Sequence, residues 1–330
     1  MAFPLKRAFQ RGRAWGRMKG PGGPGALIVP LFRPILRRRR LVGKVPVPGP
    51  GLGLRSGNLE VRLARTAAEI DAAQALRYRV FYEEMDAHAS PDVAARRRDF
   101  DRFDEHCDHL LVIDHELGPG AEGVVGTYRL LRREAAAGIG RFYTQDEYNI
   151  RRLMQGHQEI MELGRSCVAP EYRRHQTMQL LWRGIAQYVQ HYDVSLMFGC
   201  ASFRGIDPDS HAMPLSYLYY NHLAPVGIRP KAVRERYVDM RRLPASEVDQ
   251  KAALAALPPL IKGYLRLGGF VGDGAVIDEQ FNTTDVCIVV KTDWVTGKYV
   301  RRYNRDDQDR DPSEEGRLRR DGRNLAQERA

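Results

Sequence analysis

Residues 160–182 read IMELGRSCVAPEYRRHQTMQLLW and change character halfway along. The first half is an apolar run that contains Glu162 and Arg165, which indicates a strand over residues 158–168 that ends before Pro170. The second half predicts a helix over residues 171–191, because its apolar residues recur at intervals of three and four. These apolar residues are Met178, Leu181, Trp182, Ile185, Val189 and Tyr192.

The next apolar run, VSLMFGC at residues 194–200, predicts a second buried strand. Strand, helix and strand then form a βαβ unit, whose two strands lie parallel in one sheet. Arg173 and Arg174 lie in the turn before the helix, and a helix N-terminus has free backbone N–H groups that suit a phosphate. This turn is therefore the first candidate site.

The other segments predict that the sheet is mixed. Residues 59–64 alternate apolar and polar residues as a strand does, and a helix follows over residues 66–85 with Thr66 as its cap. After a charged segment at 86–105, which we expect to be mobile, two apolar runs predict a hairpin. Short helices and a last strand follow the βαβ unit. The fold class is therefore α/β with α+β character, a mixed central sheet flanked by helices.

The charge of the chain is unevenly distributed. The net charge is +11, but residues 1–50 contain twelve Lys and Arg and no acidic residue, which leaves −1 for the rest. We therefore divide the chain into a basic, Pro/Gly-rich arm and linker (1–58), one folded domain (59–300) and a tail (301–330). In the tail nine arginines and eight acidic residues leave almost nothing apolar, which predicts disorder.

The basic arm admits three interpretations. It is a disordered tail, or residues 1–44 form a peripheral anchor in which Lys and Arg attract anionic lipid and aromatic residues enter the interface. Nucleic-acid binding is possible for any basic arm, but no nucleic-acid module follows, so we expect no such partner. The apolar run ALIVPLFRPIL is too short and too interrupted to span a bilayer.

The four cysteines favour reduced thiols over a disulfide framework. They lie far apart, at positions 107, 167, 200 and 287, and form no CxxC pair. The run His106 to His109 resembles a metal cluster, but contiguous residues cannot all face one ion, so we expect no bound metal. These features predict a cytoplasmic protein, peripheral on the inner membrane if the arm is an anchor.

Four motifs occur in order along the chain: LRYRVFYEE (76–84), RDFDRFDEHCDHLLV (98–112), GVVGTYRLL (123–131) and ELGRSCVAPEYR (162–173). They resemble the GNAT-type acyltransferase fold in the branch shared with acyl-homoserine lactone synthases, which show a similar Arg/Phe helix, D-x-x-D pair, G-T-x-R-L strand and E-x-x-R strand. Two later motifs are similar to the ornithine-lipid biosynthesis N-acyltransferases. They are LMFGCASFRGIDP (196–208) and LPPLIKGYLRLGGFVGDGAVIDEQFNTTDVCIVV (257–290). The resemblance covers about residues 59–292.

The resemblance implies a reaction and a donor. Such enzymes move a 3-hydroxyacyl chain from acyl carrier protein to the α-amino group of L-ornithine, giving lyso-ornithine lipid. No cofactor is bound to the enzyme, since the carrier brings its own 4′-phosphopantetheine. Acetyl-CoA-using relatives have R-x-x-G-x-G/A at the helix start, whereas residues 173–178 read RRHQTM. The missing glycines favour an acidic carrier protein, met by Arg173 and Arg174, over free acyl-CoA.

The resemblance also implies roles for residues of the E-x-x-R strand. Glu162 is the expected general base, which accepts the proton of the amine. Arg165 is the second catalytic residue of this pair, and either it or Arg129 would bind the acceptor carboxylate as a fork. Backbone N–H groups near Cys167 and Val168 would hold the thioester carbonyl as its oxygen gains charge.

Asp101, Asp104 and Arg77 complete the expected substrate-binding set. The two aspartates would attract the cationic acceptor, and Arg77 belongs to the Arg/Phe helix of the resemblance. For each of these charged residues, an ordinary ion pair is the alternative interpretation.

Two other functions stay open on the sequence alone. The first is an acyl-homoserine lactone synthase that uses S-adenosylmethionine, although such enzymes are typically shorter and lack the segment after about residue 205. The second is a non-catalytic binding protein that acts through its basic arm. The sequence does not decide the acyl-chain length, the oligomeric state, or the acceptor among ornithine, lysine, glutamine and glycine.

Overall fold

The computed structural model describes residues 53–156, 159–173 and 175–295. The basic arm with its expected membrane contact, the charged tail and Arg174 lie outside these ranges. Within the described ranges, no helix has both the length and the apolar content that crossing a membrane requires.

Eleven strands in the described part of the chain form one mixed sheet. They are β1 (Gly53–Ser56), β2 (Leu59–Leu63), β3 (Asp108–Asp114), β4 (Val124–Arg132), β5 (Tyr148–Asn149), β6 (Glu159–Val168), β7 (Val194–Arg204), β8 (Lys231–Ala232), β9 (Tyr237–Val238), β10 (Phe270–Asp278) and β11 (Thr283–Lys291). Their order is β1-β2-β3-β4-β6-β7-β11-β10-β8-β5, and β9 pairs with β10. All pairs are antiparallel except β6 with β7 and β8 with β10.

Helices pack on this sheet. They are α1 (Ala67–Tyr78), α2 (Pro91–Arg96), α3 (Arg133–Ile139), α4 (Arg151–Met154), α5 (His175–His191), α6 (Ala212–His222), α7 (Gln250–Ala256) and α8 (Pro259–Arg266). Helix α1 starts as predicted, because Thr66 Oγ1 accepts a 3.2 Å hydrogen bond from the backbone N–H of Glu69. It continues as a π-helical segment, Arg79–Glu84.

The sheet has an apolar core on each face. Along β4, Leu130 packs into the core that α5 and α8 cover, and the next residue, Leu131, packs into the core on the side of α3. Along β3, Leu110 and Leu111 divide in the same way, and Leu111 contacts α1. Because side chains alternate along a strand, α5 and α8 cover one face while α1 and α3 cover the other.

The two parallel strands of the βαβ unit separate halfway along. Strand β6 pairs with β7 only as far as Glu162, whose partner is Phe198, and then continues along β4 while β7 continues along β11. At the point of separation Gly199 lies against β6, and a Cβ there would be 2.2 Å from the Leu163 carbonyl oxygen. A wedge-shaped gap therefore opens in the sheet beyond these residues.

The predicted mixed sheet and βαβ unit are confirmed, with differences at the start of α5 and at the start of the sheet. Helix α5 begins at His175, because Pro170–Tyr172 form a separate 3-10 turn and Arg173 leaves the helical region with ψ of 42°. The sheet begins at Gly53, since β1 forms a hairpin with β2 inside the expected linker. Strand β10 is irregular at residues 272–274, where a bulge absorbs Gly274 with its φ of +90°.

Candidate active site

A cavity of about 470 Å³ fills the gap between β6 and β7. Its walls are residues 162–168 of β6 and residues 200–202 of β7. Leu260 of α8 lines it from one face of the sheet, and Phe81 with part of the turn at 143–147 lines it from the other. The cavity thus passes through the sheet, and its size is that of a small-molecule site.

Glu162 lies in the cavity wall, and its carboxylate accepts three hydrogen bonds. The backbone N–H of Tyr143 donates to Oε2 at 2.8 Å, and that of Thr144 donates to Oε1 at 2.6 Å. The hydroxyl of Thr144 also donates to Oε1. Glu162 is 4% exposed. The turn before β5 therefore holds this carboxylate in one orientation.

Burial raises the pKa of Glu162 above its ordinary value. The hydrogen bonds from Thr144 and Tyr143 and the charge of Arg129 act in the opposite direction and offset only part of this effect. A carboxylate with a raised pKa is a better proton acceptor near neutral pH than one in water.

Arg165, the other member of the E-x-x-R pair, has a φ of +50° and also lines the cavity. Its guanidinium lies 3.2 Å from Asp99 Oδ2 and 3.4 Å from Asp101 Oδ2. The same group lies over the rings of Tyr143 and Phe281, 4.8 Å and 4.4 Å from their centroids. Tyr143 thus contacts Arg165 through its ring and Glu162 through its backbone N–H.

Behind the cavity wall lies a buried ion network. Arg77, 0% exposed, donates from Nε to Asp99 at 2.7 Å and from Nη1 and Nη2 to Asp104 at 3.0 Å and 2.9 Å. Arg129 donates from Nη1 to Asp101 at 2.8 Å and lies 3.4 Å from Asp104. Arg165, through its contacts with Asp99 and Asp101, completes a network of three arginines and three aspartates.

The ion network separates the expected substrate-binding residues into two groups. Arg129 lines the cavity, whereas Asp101, Arg77 and Asp104 do not. Arg77 and Asp104 are paired with each other, and contact of either with a substrate would require this pair to break. Segment 86–105, expected to be mobile, contains α2 and is joined to α1 by these ion pairs.

The arginines hold the pKa of Asp99 and Asp104 below the ordinary value. For Asp104 burial alone would raise the pKa, but the charges of Arg77 and Arg129 outweigh it. For Asp99 the charges of Arg165, Arg77 and Arg129 do the same. Both carboxylates are therefore ionised at neutral pH.

The expected carbonyl-binding amides of β6 point in two directions. The backbone N–H of Ala169 donates to Val125 of β4 at 2.9 Å, and the register pairs Cys167 with Thr127 and Val168 with Gly126. Because N–H directions alternate along an antiparallel pair, the amide of Cys167 points at β4 and that of Val168 points away from it, towards the gap. Burial raises the pKa of the Cys167 thiol to about 12, so it stays protonated.

Arg173 lines the cavity and is 42% exposed. Its guanidinium forms a fork with both carboxylate oxygens of Glu84, and its Nε donates to the carbonyl of Val168 at 3.1 Å. These contacts hold the π-helical segment against the end of β6. Arg174, which the sequence places beside it, lies outside the described residues.

Sequence reasoning missed two groups of lining residues. Tyr143 and Thr144 lie in the segment between β4 and β6, which contains no recognisable motif, so nothing in the sequence indicates their contact with the E-x-x-R pair. Glu147, Asp278 and Asp285 lie on three separate elements, and oxygens of their carboxylates lie within 4.8 Å of one another. One feature of the sequence could have indicated this second group. Asp285 is an acidic residue at the start of TTDVCIVV (283–290), a strand that is apolar from Val286 onward.

The fold and the cavity define the class of the protein. A sequence model described as "Acetyltransferase (GNAT) domain" matches residues 76–183, which contain the end of α1, the ion network, β6 and the start of α5. The mixed sheet that splits beside a buried glutamate is thus the frame of a GNAT-type acyltransferase.

Relatives specify the family. "L-ornithine N(alpha)-acyltransferase" of Rhizobium meliloti (strain 1021) is 49% identical over 265 residues, which cover 79% of this chain and 90% of the relative. The protein of that name from Agrobacterium fabrum (strain C58 / ATCC 33970) is 48% identical over 77% of this chain and 87% of its own. The protein of the same name from Rhodobacter capsulatus is 44% identical over 74% of this chain and 95% of its own length. The chain belongs to the L-ornithine N(alpha)-acyltransferase family and is an acyltransferase.

Proposed function

We propose that this enzyme joins a 3-hydroxyacyl chain, delivered as the thioester of acyl carrier protein, to the α-amino group of L-ornithine, giving lyso-ornithine lipid. The names of the relatives include L-ornithine, which is the proposed acceptor. The observation that carries the proposed chemistry is the position of Glu162, a buried carboxylate in the cavity wall where β6 and β7 separate.

The proposed reaction is a direct attack without a covalent enzyme intermediate. The neutral α-amine forms a C–N bond to the thioester carbonyl carbon, and the carbonyl oxygen gains negative charge near the amide of Val168. Glu162 accepts the proton of the amine, directly or through a water molecule. The C–S bond then breaks, and the pantetheine thiolate takes up that proton. Glu162 thereby returns to its ionised form.

Two arginines are suited to the carboxylate of the acceptor. Arg129 and Arg165 both line the cavity, and a guanidinium binds a carboxylate as a planar fork. Asp101 contacts both guanidinium groups. It keeps their charges partly balanced when the cavity holds no acceptor, and we propose that it also attracts the cationic acceptor.

The proposed donor is a carrier protein. The start of α5 has no glycine that would let the backbone approach a pyrophosphate, whereas a pantetheine arm brings a single phosphodiester. Arg173 lines the cavity and is 42% exposed, and it would meet the acidic surface of the carrier together with Arg174.

The basic arm is proposed to contact anionic lipid, which would place the enzyme beside the membrane that receives its product. Vesicles with and without anionic lipid, mixed with the full chain and with a chain lacking residues 1–44, test this contact. Equal sedimentation of both chains with anionic vesicles would refute it.

The decisive experiment supplies the purified full chain with 3-hydroxyacyl carrier protein and a panel of amino acids, and identifies the products by mass spectrometry. N-acylornithine is the expected product. Absence of any acylated amino acid, or a lactone formed from S-adenosylmethionine, would refute the proposal.

The choice of donor is tested by comparing kcat/KM for acyl carrier protein and for coenzyme A that carry the same acyl group. Arg173→Glu is expected to lower kcat/KM for the carrier protein about tenfold and to affect acyl-CoA less, because steering acts on the acidic carrier. Arg152→Glu, on α4, is the matched control. Equal losses with both donors would contradict the carrier-protein assignment.

A further inference from the structure

Three buried carboxylates meet at one part of the cavity, and the proposed reaction uses none of them. Glu147 follows the turn Tyr143–Asp146, Asp278 ends β10, and Asp285 lies in β11. One oxygen of each lies within 4.8 Å of the others. The residues are 3%, 8% and 6% exposed, and all three line the cavity that also contains Glu162. We call Glu147, Asp278 and Asp285 the acidic cluster.

Buried oxygens at the acidic cluster have unused hydrogen-bonding capacity. Among the described residues, Glu147 Oε2, Asp285 Oδ1 and the hydroxyl Oγ1 of Thr283 are buried and have no partner within hydrogen-bond distance. The donors that act on the two carboxyl groups are the thiol of Cys200 and the hydroxyls of Ser202 and Thr283. Thr283 and Asp285 project from the same face of β11, because they are two residues apart, and Thr283 also lines the cavity. A buried polar oxygen without a partner costs free energy, so three in one place indicate that a donor binds there.

The acidic cluster also carries uncompensated charge. Arg236 approaches it, with Nη1 3.9 Å from Glu147 Oε1, while its Nη2 donates to the carbonyl of Ile277. Burial, with repulsion from Asp285, raises the pKa of Glu147, and burial raises the pKa of Asp285. Three carboxyl groups thus meet one guanidinium, and a further cation would relieve the repulsion between them.

We propose that the acidic cluster binds the side-chain ammonium of the amino-acid acceptor and so selects a diamino acid with a short side chain. This inference rests on the proposed function. The turn before β5 supplies the geometry, because its residues Tyr143 and Thr144 hold Glu162 and the residue after it is Glu147. An acceptor whose α-amine faces Glu162 therefore has its side chain beside the cluster.

An ammonium group matches the cluster better than a divalent cation does. An ammonium group has three N–H donors. Three oxygens at the cluster, Glu147 Oε2, Asp285 Oδ1 and Thr283 Oγ1, have no partner within hydrogen-bond distance and could accept from it. Calcium takes six to eight oxygen ligands, and magnesium requires a near-ideal octahedron. The cluster supplies three carboxylates, and the guanidinium of Arg236 lies at its edge.

The first test compares acceptors on the wild-type full chain. Ornithine is compared with 2-aminopentanoate, which has the same carbon skeleton without the terminal amine, and with lysine and 2,4-diaminobutanoate. We expect kcat/KM for ornithine to exceed that for 2-aminopentanoate about 100-fold, since a buried charged hydrogen bond is lost. Equal values for these two acceptors would overturn the inference.

The second test changes the cluster. In Asp285→Asn and in Glu147→Gln the ratio of kcat/KM between ornithine and 2-aminopentanoate should fall at least about tenfold. Asp146→Asn is the matched control, because this side chain is 52% exposed, adjacent in sequence and outside the cavity wall. The control should keep the wild-type ratio. Circular dichroism confirms folding, and if a variant does not fold, the acceptor comparison on wild type decides.

The possible outcomes separate the inference from the proposed function. If wild type acylates no amino acid, the proposed function fails and the inference falls with it. If wild type acylates ornithine but Asp285→Asn keeps the ratio, the inference alone is overturned. If a chelator abolishes activity and added magnesium or calcium restores it while Asp285→Asn prevents the restoration, the cluster is a metal site, which also overturns the inference.

Discussion

Thr144 donates two hydrogen bonds to the same oxygen of Glu162, one from its backbone N–H at 2.6 Å and one from its hydroxyl. The two residues lie on different elements, since Thr144 belongs to the turn before β5 and Glu162 to β6. The segment between β4 and β6 therefore fixes the orientation of the proposed base.

Replacing Glu162 by glutamine should abolish most turnover. The amide cannot accept the proton of the amine, and loss of a general base lowers kcat by about 10²–10⁴-fold. Its NH₂ group would also face the backbone N–H of Tyr143 or Thr144, which should cost about 1–3 kcal/mol of unfolding free energy. Turnover is measured with saturating ornithine and acyl carrier protein, and stability by urea unfolding.

A matched control for this variant is Glu171→Gln, which changes an exposed residue in the turn after β6. It should keep both turnover and stability. Near-wild-type kcat in Glu162→Gln would remove the base role from this residue.

The hydroxyl of Thr144 should set the pH dependence of the reaction. It lowers the pKa of Glu162, so Thr144→Val should raise this pKa and shift the acidic limb of the kcat/KM profile to higher pH. Activity rises with pH through this limb, because Glu162 must lose its proton to act as a base. Thr292→Val, outside the cavity wall, should leave the profile in place. An unchanged limb in Thr144→Val would mean that another group titrates there.

Much of the frame was predictable because its patterns are local. The three-and-four spacing from Met178 to Val189 predicts α5, and the apolar runs before and after it predict β6 and β7. The resemblance of the E-x-x-R motif places Glu162 and Arg165 in one wall, and both line the cavity.

The remaining part of the site could not be predicted because it depends on contacts between distant segments. The sequence predicts Arg77 and Asp104 as substrate-binding residues, with an ordinary ion pair as the alternative, but the fold buries them against each other. The contact of Thr144 with Glu162 and the approach of Asp278 to Asp285 arise from tertiary packing, and no spacing rule connects such residues.

The buried ion network should contribute strongly to stability. Asp104→Asn leaves Arg77 and Arg129 with excess buried positive charge, and breaking a buried pair costs about 3–5 kcal/mol. Asp71→Asn, which removes the exposed ion pair between α1 and Arg98, should cost less than about 1 kcal/mol. Urea unfolding at pH 7 measures both. Equal losses in the two variants would contradict the difference in burial.

The same network predicts an acid-sensitive fold. The pKa of Asp104 is lowered in the folded state, so its contribution is present above the unfolded value of about 3.9 and is lost as pH falls through the folded pKa. The stability difference between wild type and Asp104→Asn should therefore shrink below about pH 4. A difference that stays constant down to pH 2 would show that ionisation of Asp104 does not stabilise the fold.

Gly199 should be required at the point where β6 and β7 separate. A Cβ there would lie 2.2 Å from the carbonyl oxygen of Leu163, so Gly199→Ala must push the two strands apart where the cavity begins. We expect a loss of about 1–3 kcal/mol in unfolding free energy, as for other overpacked sites, and a raised KM because the wall containing Glu162 moves. In the control Gly138→Ala, on α3, a Cβ meets no atom within 4 Å, and helix propensity should make this variant up to about 1 kcal/mol more stable than wild type. If Gly199→Ala is as stable and as active as wild type, the close approach of the strands does not shape the cavity.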